Sequence, residues 1–147
     1  MYKISYIDDF EQWKREFKFF IEVKIRFSET DMFGHVNNVS PFIYFEEARI
    51  EFLRQIGVFT KIKDSESVPV VADLQCNFLE QMFFGEKLLL FVKANKVGSS
   101  SIDLHYMGVK ENGNVCFTGR GNLVNINPTT GKSIPLTEDE KKKLRKN

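Results

Sequence analysis

The fold is decided by residues 26–38, which read RFSETDMFGHVNN, and by the segment after them, SPFIYFEEAR at residues 40–49. The first stretch is polar and rich in residues that favour turns, whereas the second is apolar and helix-like. Residues 31–38 place one carboxylate, one imidazole, one glycine and two asparagines directly before that helix. We therefore expect this loop to carry the chemistry of the protein.

Hydrophobic periodicity identifies the two elements that flank the loop. Apolar and polar side chains alternate over residues 19–27, which is typical of a half-buried strand. Residues 40–56 carry a wide apolar stripe at helical spacing. Ser40 and Pro41 suit the start of this helix, and Gly57 suits its end. A helix this apolar is expected to be largely enclosed by the rest of the chain.

The remaining sequence predicts further strands joined by short turns, and short turns favour antiparallel neighbours. The predicted strands are residues 68–78, 88–97, 102–106 and 115–126. One long apolar helix and one curved sheet can bury each other. The predicted fold class is therefore α+β, with an antiparallel five-stranded sheet wrapped around a long central helix.

The length of 147 residues fits one domain, and no linker or repeat divides the chain. We assign residues 1–147 to a single domain whose core is 18–127. A short helix is expected before the core at residues 8–17, and another after it at 137–146. Each begins with a capping box, formed by Asp8 with Glu11 and by Thr137 with Glu140.

Composition narrows the range of partners. The formal net charge of +1 provides no global field that would recruit nucleic acid or a membrane surface. The first residues lack the apolar region of a signal peptide, and no apolar run is long enough to span a membrane. Cys76 and Cys116 fall in predicted strands, and we interpret them as buried reduced thiols rather than as a disulfide or a reactive thiol. Neither lies at metal-ligand spacing from a histidine. We infer a cytoplasmic protein without a metal site.

Residues 27–38, FSETDMFGHVNN, followed by YFEEAR at 44–49, closely resemble the signature of the 4-hydroxybenzoyl-CoA thioesterase-like family. Members of this family are acyl-CoA thioesterases with a hotdog fold, in which a sheet wraps around a central helix. The resemblance implies an acyl-CoA substrate and hydrolysis of its thioester without a metal or cofactor. It also implies a homodimer or homotetramer with active sites between subunits.

The resemblance assigns roles to residues of the loop. It places the catalytic carboxylate at Asp31 and the amide that binds the thioester oxygen at the backbone N–H of Asn38. Gly34 would lie in the tight loop between them, and His35 and Asn37 would line the pocket. Thioester hydrolysis needs a carboxylate that attacks the carbonyl or activates water, and donors for the oxyanion. Without the resemblance, the simpler interpretation of Asp31 is a carboxylate that caps its own loop.

Three further residues are weaker candidates for the substrate site. Glu47, on the predicted helix, is the rival catalytic carboxylate and could face the loop of a partner subunit. The alternative, non-functional interpretation is that Glu47 is solvated or forms an ion pair with Arg49 or Arg54. Ser99 and Ser100 join two predicted strands and could contact the pantetheine or nucleotide of CoA. A plain hairpin turn explains them as well.

Two other functions compete with hydrolysis. Hydratases on the same fold resemble a different pattern, with a catalytic histidine beside a glycine and prolines, and the sequence around His35 lacks those prolines. A non-catalytic acyl-CoA-binding protein would keep the fold without turnover, and the intact Asp31 loop argues against it. The fifteen phenylalanines either fill the core, form a subunit interface or line an acyl tunnel.

Overall fold

The computed structural model describes residues 3–59 and 67–147 as three α-helices, six strands and one 3₁₀ turn. Their order along the chain follows the prediction, with the 3₁₀ turn at Phe27–Glu29 leading into the polar loop. The helices are α1 (Phe10–Arg15), α2 (Ser40–Ile56) and α3 (Glu138–Lys146). The strands are β1 (Phe19–Lys24), β2 (Val68–Val71), β3 (Gln75–Phe78), β4 (Lys87–Val97), β5 (Ser101–Lys110) and β6 (Val115–Ile126).

All strand pairs are antiparallel, in the order β1-β4-β5-β6-β2, with β3 also paired to β6. The predicted strand at residues 68–78 is divided into β2 and β3, which pair with β6 one after the other. Asp73 lies in the interruption, where its carboxylate accepts from the backbone N–H of Asn122 and from Arg120. These bonds bend the chain at a point where a continuous strand was expected.

Helix α2 packs one face against the inner face of the sheet, whereas Ile43 and Ile50 on its other face are exposed by 49% and 56%, so the helix is less enclosed in the protomer than its apolar stripe predicts. Phe45 is fully buried, and its ring stacks on Tyr106 of β5 at a centroid distance of 4.4 Å. Gly119 of β6 makes room for it, because a Cβ there would lie only 2.4 Å from the Phe45 ring. The curved sheet and the central helix therefore form one interdigitated core, the hotdog arrangement.

The start of α2 differs in detail from the prediction. Val39 is the N-cap residue and makes no side-chain capping bond, so Ser40 is already helical and Pro41 follows it. The carboxamide oxygen of Asn37 caps the helix instead, accepting from the backbone N–H groups of Val39 and Ser40 at 3.0 and 2.9 Å. The end agrees with the prediction, since Gly57 adopts a left-handed φ of 78°.

Helix α1 packs on the outer face of the sheet. It is shorter than the predicted 8–17, and its N-cap is Asp9, which accepts from the backbone N–H of Gln12, rather than Asp8. Trp13 donates from Nε1 to Nδ1 of the buried His105 at 2.8 Å, so the proton of this ring lies on Nε2, which faces Asp103. His105 therefore has a structural role, since its ring bonds Trp13 of α1 and Asp103 of β5.

Cys116 is buried as predicted, whereas Cys76 is only partly buried, and the C-terminal helix begins and ends as expected. Cys76 and Cys116 are free thiols, and burial raises the pKa of each to about 12, so both stay protonated at neutral pH. Thr137 and Glu140 form the expected capping box at the start of α3. Among residues 3–59 and 67–147, no helix combines the length and apolar character needed to cross a membrane.

Candidate active site

A cavity of about 450 Å³ opens where the loop before α2 meets the segment after β3. The loop provides polar groups and the segment provides both apolar and polar groups. The lining residues are Asp31, His35, Val36, Asn37, Asn38, Phe78, Leu79, Glu80, Gln81 and Met82. Four of the predicted site residues therefore share one cavity in a single protomer.

The carboxylate of Asp31 is oriented by its own loop. Its Oδ1 accepts from the backbone N–H groups of Phe33 and His35 at 2.9 and 3.2 Å. Gly34 turns the chain with a φ of 81°, and its N–H donates to the carbonyl of Asp31. Within residues 3–59 and 67–147, Oδ2 receives no hydrogen bond. Asp31 thus caps the loop with one oxygen and leaves the other available to the cavity.

The residue that lines the same cavity directly before the N-cap of α2 is Asn38. The N–H of Asn37 donates to the carbonyl of Glu29, and those of Val39 and Ser40 donate to the Asn37 side chain. Asn38 lies between these tethered groups, and its own N–H has no protein acceptor in the described part of the chain. Unpaired amides at a helix N-terminus, with the helix dipole behind them, favour developing negative charge.

His35 is held by aromatic packing. Its ring lies edge-on against Phe83 at a centroid distance of 4.9 Å, and the two residues also form an isolated β-bridge. Only the backbone of His35 bonds to Asp31. The sequence leaves three roles open for His35: orienting the substrate, hydrogen-bonding Asp31 through its side chain, or fixing the loop. The observed contacts favour fixing the loop, and His35 also lines the cavity.

The other predicted site residues lie elsewhere in the protomer. Glu47 lines a separate cavity of about 440 Å³ on the exposed side of α2. It pairs with neither predicted arginine, because Arg49 faces Glu46 and Arg54 binds Glu51. Ser99 and Ser100 form the β4–β5 turn, where the carbonyl of Ser99 accepts from the backbone N–H of Leu136 and that of Ser100 accepts from the N–H of Asn125.

The sequence reading missed the wall formed by the segment after β3. Lys110 of β5, which is largely buried, donates to Glu80 and to the carbonyl of Gln81. The carboxylate of Glu86 also forms an ion pair with this lysine at 3.4 Å. A pairing across about thirty residues leaves no local signature in the sequence. Among the described residues, no group of three or more His, Cys, Asp or Glu side chains could hold a metal ion.

Comparison with known proteins agrees with this architecture. Residues 25–144 match the model of the thioesterase-like superfamily. The chain is 46% identical over 141 residues to the protein YsmA of Bacillus subtilis, with 95% of each chain covered. The family match confirms the predicted resemblance to the hotdog-fold thioesterases.

Two solved structures extend the comparison. A predicted thioesterase from Bacillus stearothermophilus is 28% identical with a TM-score of 0.77, covering 87% of this chain and 94% of that one. A Thermus thermophilus thioesterase, complexed with coenzyme A and Zn, is 28% identical with a TM-score of 0.73, covering 86% and 92%. Because the family model covers residues 25–144, this protein belongs to the thioesterase-like superfamily.

Proposed function

We propose that the protein hydrolyses the thioester of an acyl-CoA to a free acid and CoA. The observation that carries this proposal is that Asp31 and Asn38 line one cavity while, within residues 3–59 and 67–147, Oδ2 of Asp31 and the N–H of Asn38 make no hydrogen bond. Membership of the thioesterase-like superfamily supports the reaction class, and the CoA complex of the Thermus thermophilus relative supports the carrier.

In the proposed reaction, Asp31 and Asn38 have different roles. Oδ2 of Asp31 either attacks the thioester carbonyl or removes a proton from the water that attacks it. The carbonyl oxygen gains negative charge as the bond forms, and the Asn38 N–H at the start of α2 donates to it. In the general-base route, the carbon–sulfur bond then breaks to give the free acid, and the proton that Asp31 took from water passes to the CoA sulfur. In the nucleophilic route, CoA leaves as its thiolate, water hydrolyses the resulting anhydride to the free acid and the Asp31 carboxylate, and the proton released by that water converts the thiolate to the thiol. Gly34, His35 and Asn37 hold the loop or line the pocket around the reacting group.

The experiment that tests this function is an assay of free thiol release from short, long and aromatic acyl-CoA thioesters. Turnover of at least one class is the expected result, and the preferred class identifies the acyl group. Tight binding of acyl-CoA without thiol release would show instead a non-catalytic acyl-CoA-binding protein. Hydration of an enoyl-CoA without hydrolysis would indicate the hydratase class.

A second copy of the chain is proposed to complete the site. Large apolar side chains on and beside the loop are exposed in one protomer, with Met32 and Phe33 exposed by 91% and 75%. Phe84 is also exposed and packs edge-on against Phe27. Burying such side chains between copies would remove them from water. Ser99 and Ser100 would reach the substrate only from the partner subunit. We place this oligomer in the cytoplasm, where the two thiols stay reduced.

We expect sedimentation velocity to give at least twice the chain mass of 17.1 kDa. Phe84→Asp should shift the distribution toward monomer, because a buried unpaired carboxylate opposes association. Phe20→Asp is the matched control, since Phe20 is a half-exposed side chain on β1. A wild-type protein that sediments as a monomer at micromolar concentration would refute the shared site.

Glu47→Gln is expected to keep kcat/KM within about threefold of wild type. The reason is that Glu47 is exposed and lies outside the proposed reacting groups, where substitutions have small effects. The carboxylate of Glu47 lines a different cavity from that of Asp31. Steady-state thiol release by the two variants, Glu47→Gln and Asp31→Asn, compares the rival carboxylates directly. If Glu47→Gln is the inactive variant, the base comes from the central helix instead.

A further inference from the structure

The 3₁₀ turn that leads into the loop ends in a buried acid, Glu29, with 5% of its surface exposed. Its Oε1 accepts from the backbone N–H of Arg26 at 2.9 Å and from the hydroxyl of Tyr44 at 2.8 Å. Its Oε2 accepts from Nε and Nη2 of Arg26 at 3.2 and 2.8 Å. Each of these hydrogen-bond partners in the described part of the chain is a donor.

These donors keep the acid ionised. Burial raises the pKa of Glu29, but the hydrogen bonds from Arg26 and Tyr44 outweigh burial and hold the pKa below its usual value. Burial and the neighbouring carboxylate raise the pKa of Tyr44, so its hydroxyl stays protonated and donates. A buried charge satisfied in this way is costly to disturb, because removing one partner leaves the others unpaired.

The main chain of Glu29 holds the start of α2. Its carbonyl accepts from the backbone N–H of Asn37 at 2.9 Å and from the hydroxyl of Ser40 at 3.3 Å. Its side chain reaches one turn further, to Tyr44. One residue therefore ties the segment after β1, through Arg26, to the helix that begins directly after the cavity-lining Asn38.

The two proposed reacting groups lie close to these tethers along the chain. Asp31 follows Glu29 by two residues, and the bridge between Thr30 and Val36 closes the loop that carries it. The N–H of Asn38 belongs to the peptide that follows the tethered Asn37. A shift of Glu29 would therefore move the carboxylate and the oxyanion donor relative to each other.

The geometry points to Glu29 as a positioning residue that sets the spacing between the Asp31 carboxylate and the Asn38 amide. This role rests on the proposed function of those two groups. Glu29 does not line the cavity, so it acts through the loop and makes no contact with substrate. A reacting group displaced by about 1 Å can cost ~100-fold in rate.

Glu29→Gln is the sharpest probe, because glutamine has nearly the same shape but replaces one acceptor oxygen by an NH₂ group. Whichever way the amide is turned, that group faces donors that previously bound oxygen. Tyr44→Phe is a milder second variant, which removes one donor and leaves the Arg26 bonds. Glu51→Gln is the matched control, since Glu51 forms an exposed bidentate pair with Arg54 at 3.0 and 2.7 Å.

The first test does not depend on activity. Amide hydrogen exchange measured by mass spectrometry should be faster over residues 30–40 in Glu29→Gln than in wild type, by about tenfold or more. Tyr44→Phe should change exchange in the same direction by less, and Glu51→Gln should match wild type over this segment. Unchanged exchange in both Glu29→Gln and Tyr44→Phe would overturn the positioning role.

The second test separates positioning from general destabilisation. In Glu29→Gln, kcat should fall by ~100-fold while KM changes by about twofold or less. Added to Asp31→Asn, the same substitution should cause little further loss, because no catalytic carboxylate remains to be positioned. An equal loss in both backgrounds would show a structural role only. If wild type hydrolyses no thioester, the proposed function fails, and the exchange experiment still decides the role of Glu29 in the loop.

Discussion

Replacing Asp31 by asparagine should lower kcat by about 10²–10⁴-fold, the range typical of losing a general base or nucleophile at a reacting centre. Asparagine keeps a carbonyl oxygen that can accept from the N–H groups of Phe33 and His35, as Oδ1 of Asp31 does. It lacks the negative charge and the basic oxygen that the proposed hydrolysis requires. The variant therefore removes the chemistry while it preserves the loop cap.

Asp31→Ala is the companion variant, because it removes both the cap and the chemistry. We expect its melting temperature to fall below that of Asp31→Asn, with a loss of about 1 kcal/mol for the missing acceptor. Both variants should sediment as wild type does. Thiol release by Asp31→Asn at close to the wild-type rate would refute the catalytic assignment and leave only the capping role.

Phe45→Ala should destabilise the fold by about 3–5 kcal/mol, a large share of the stability of an ordinary domain. The ring is fully buried, stacks on Tyr106 and contacts Phe117 at a centroid distance of 5.6 Å. Gly119 leaves the space that the ring fills. Because β5, β6 and α2 all meet at this ring, the cavity left by alanine cannot close without moving one of them.

Chemical denaturation of Phe45→Ala measures this loss through the shift of the unfolding midpoint at constant m-value. Phe20→Ala is the matched control, because Phe20 lies half-exposed on the edge strand β1 and should cost about 1 kcal/mol or less. Equal losses in the two variants would contradict the placement of Phe45 at the centre of the core.

The strands and helices could be predicted because their patterns are local. Alternating side chains over residues 19–27 indicated β1, and the apolar stripe at 40–56 indicated α2, since burial on one face imposes the period of the element. The glycine-containing loop with Asp31 could be recognised as a unit for the same reason. It is contiguous, so its residue types and spacing are visible without any tertiary contact.

Details at element boundaries were less predictable, because short polar side chains compete for the same amides. Ser40 was the expected cap of α2, but the Asn37 side chain performs that role and Ser40 donates to Asn37 and Glu29. Asp8 and Asp9 are both good caps by type, and the observed backbone selects Asp9. The break between β2 and β3 depends on Asp73 reaching Arg120 and Asn122 of β6.

The sequence alone determined the α+β class, the order of elements, the family signature and the loop that holds Asp31 and Asn38. Only the tertiary structure decided which groups share a cavity: it brought Glu80 and Gln81 to Asp31, placed Glu47 elsewhere and buried Glu29 between Arg26 and Tyr44. The physical reason is range. Periodicity and capping act between neighbours along the chain, whereas a cavity is formed by residues that meet only after the sheet has closed around the helix.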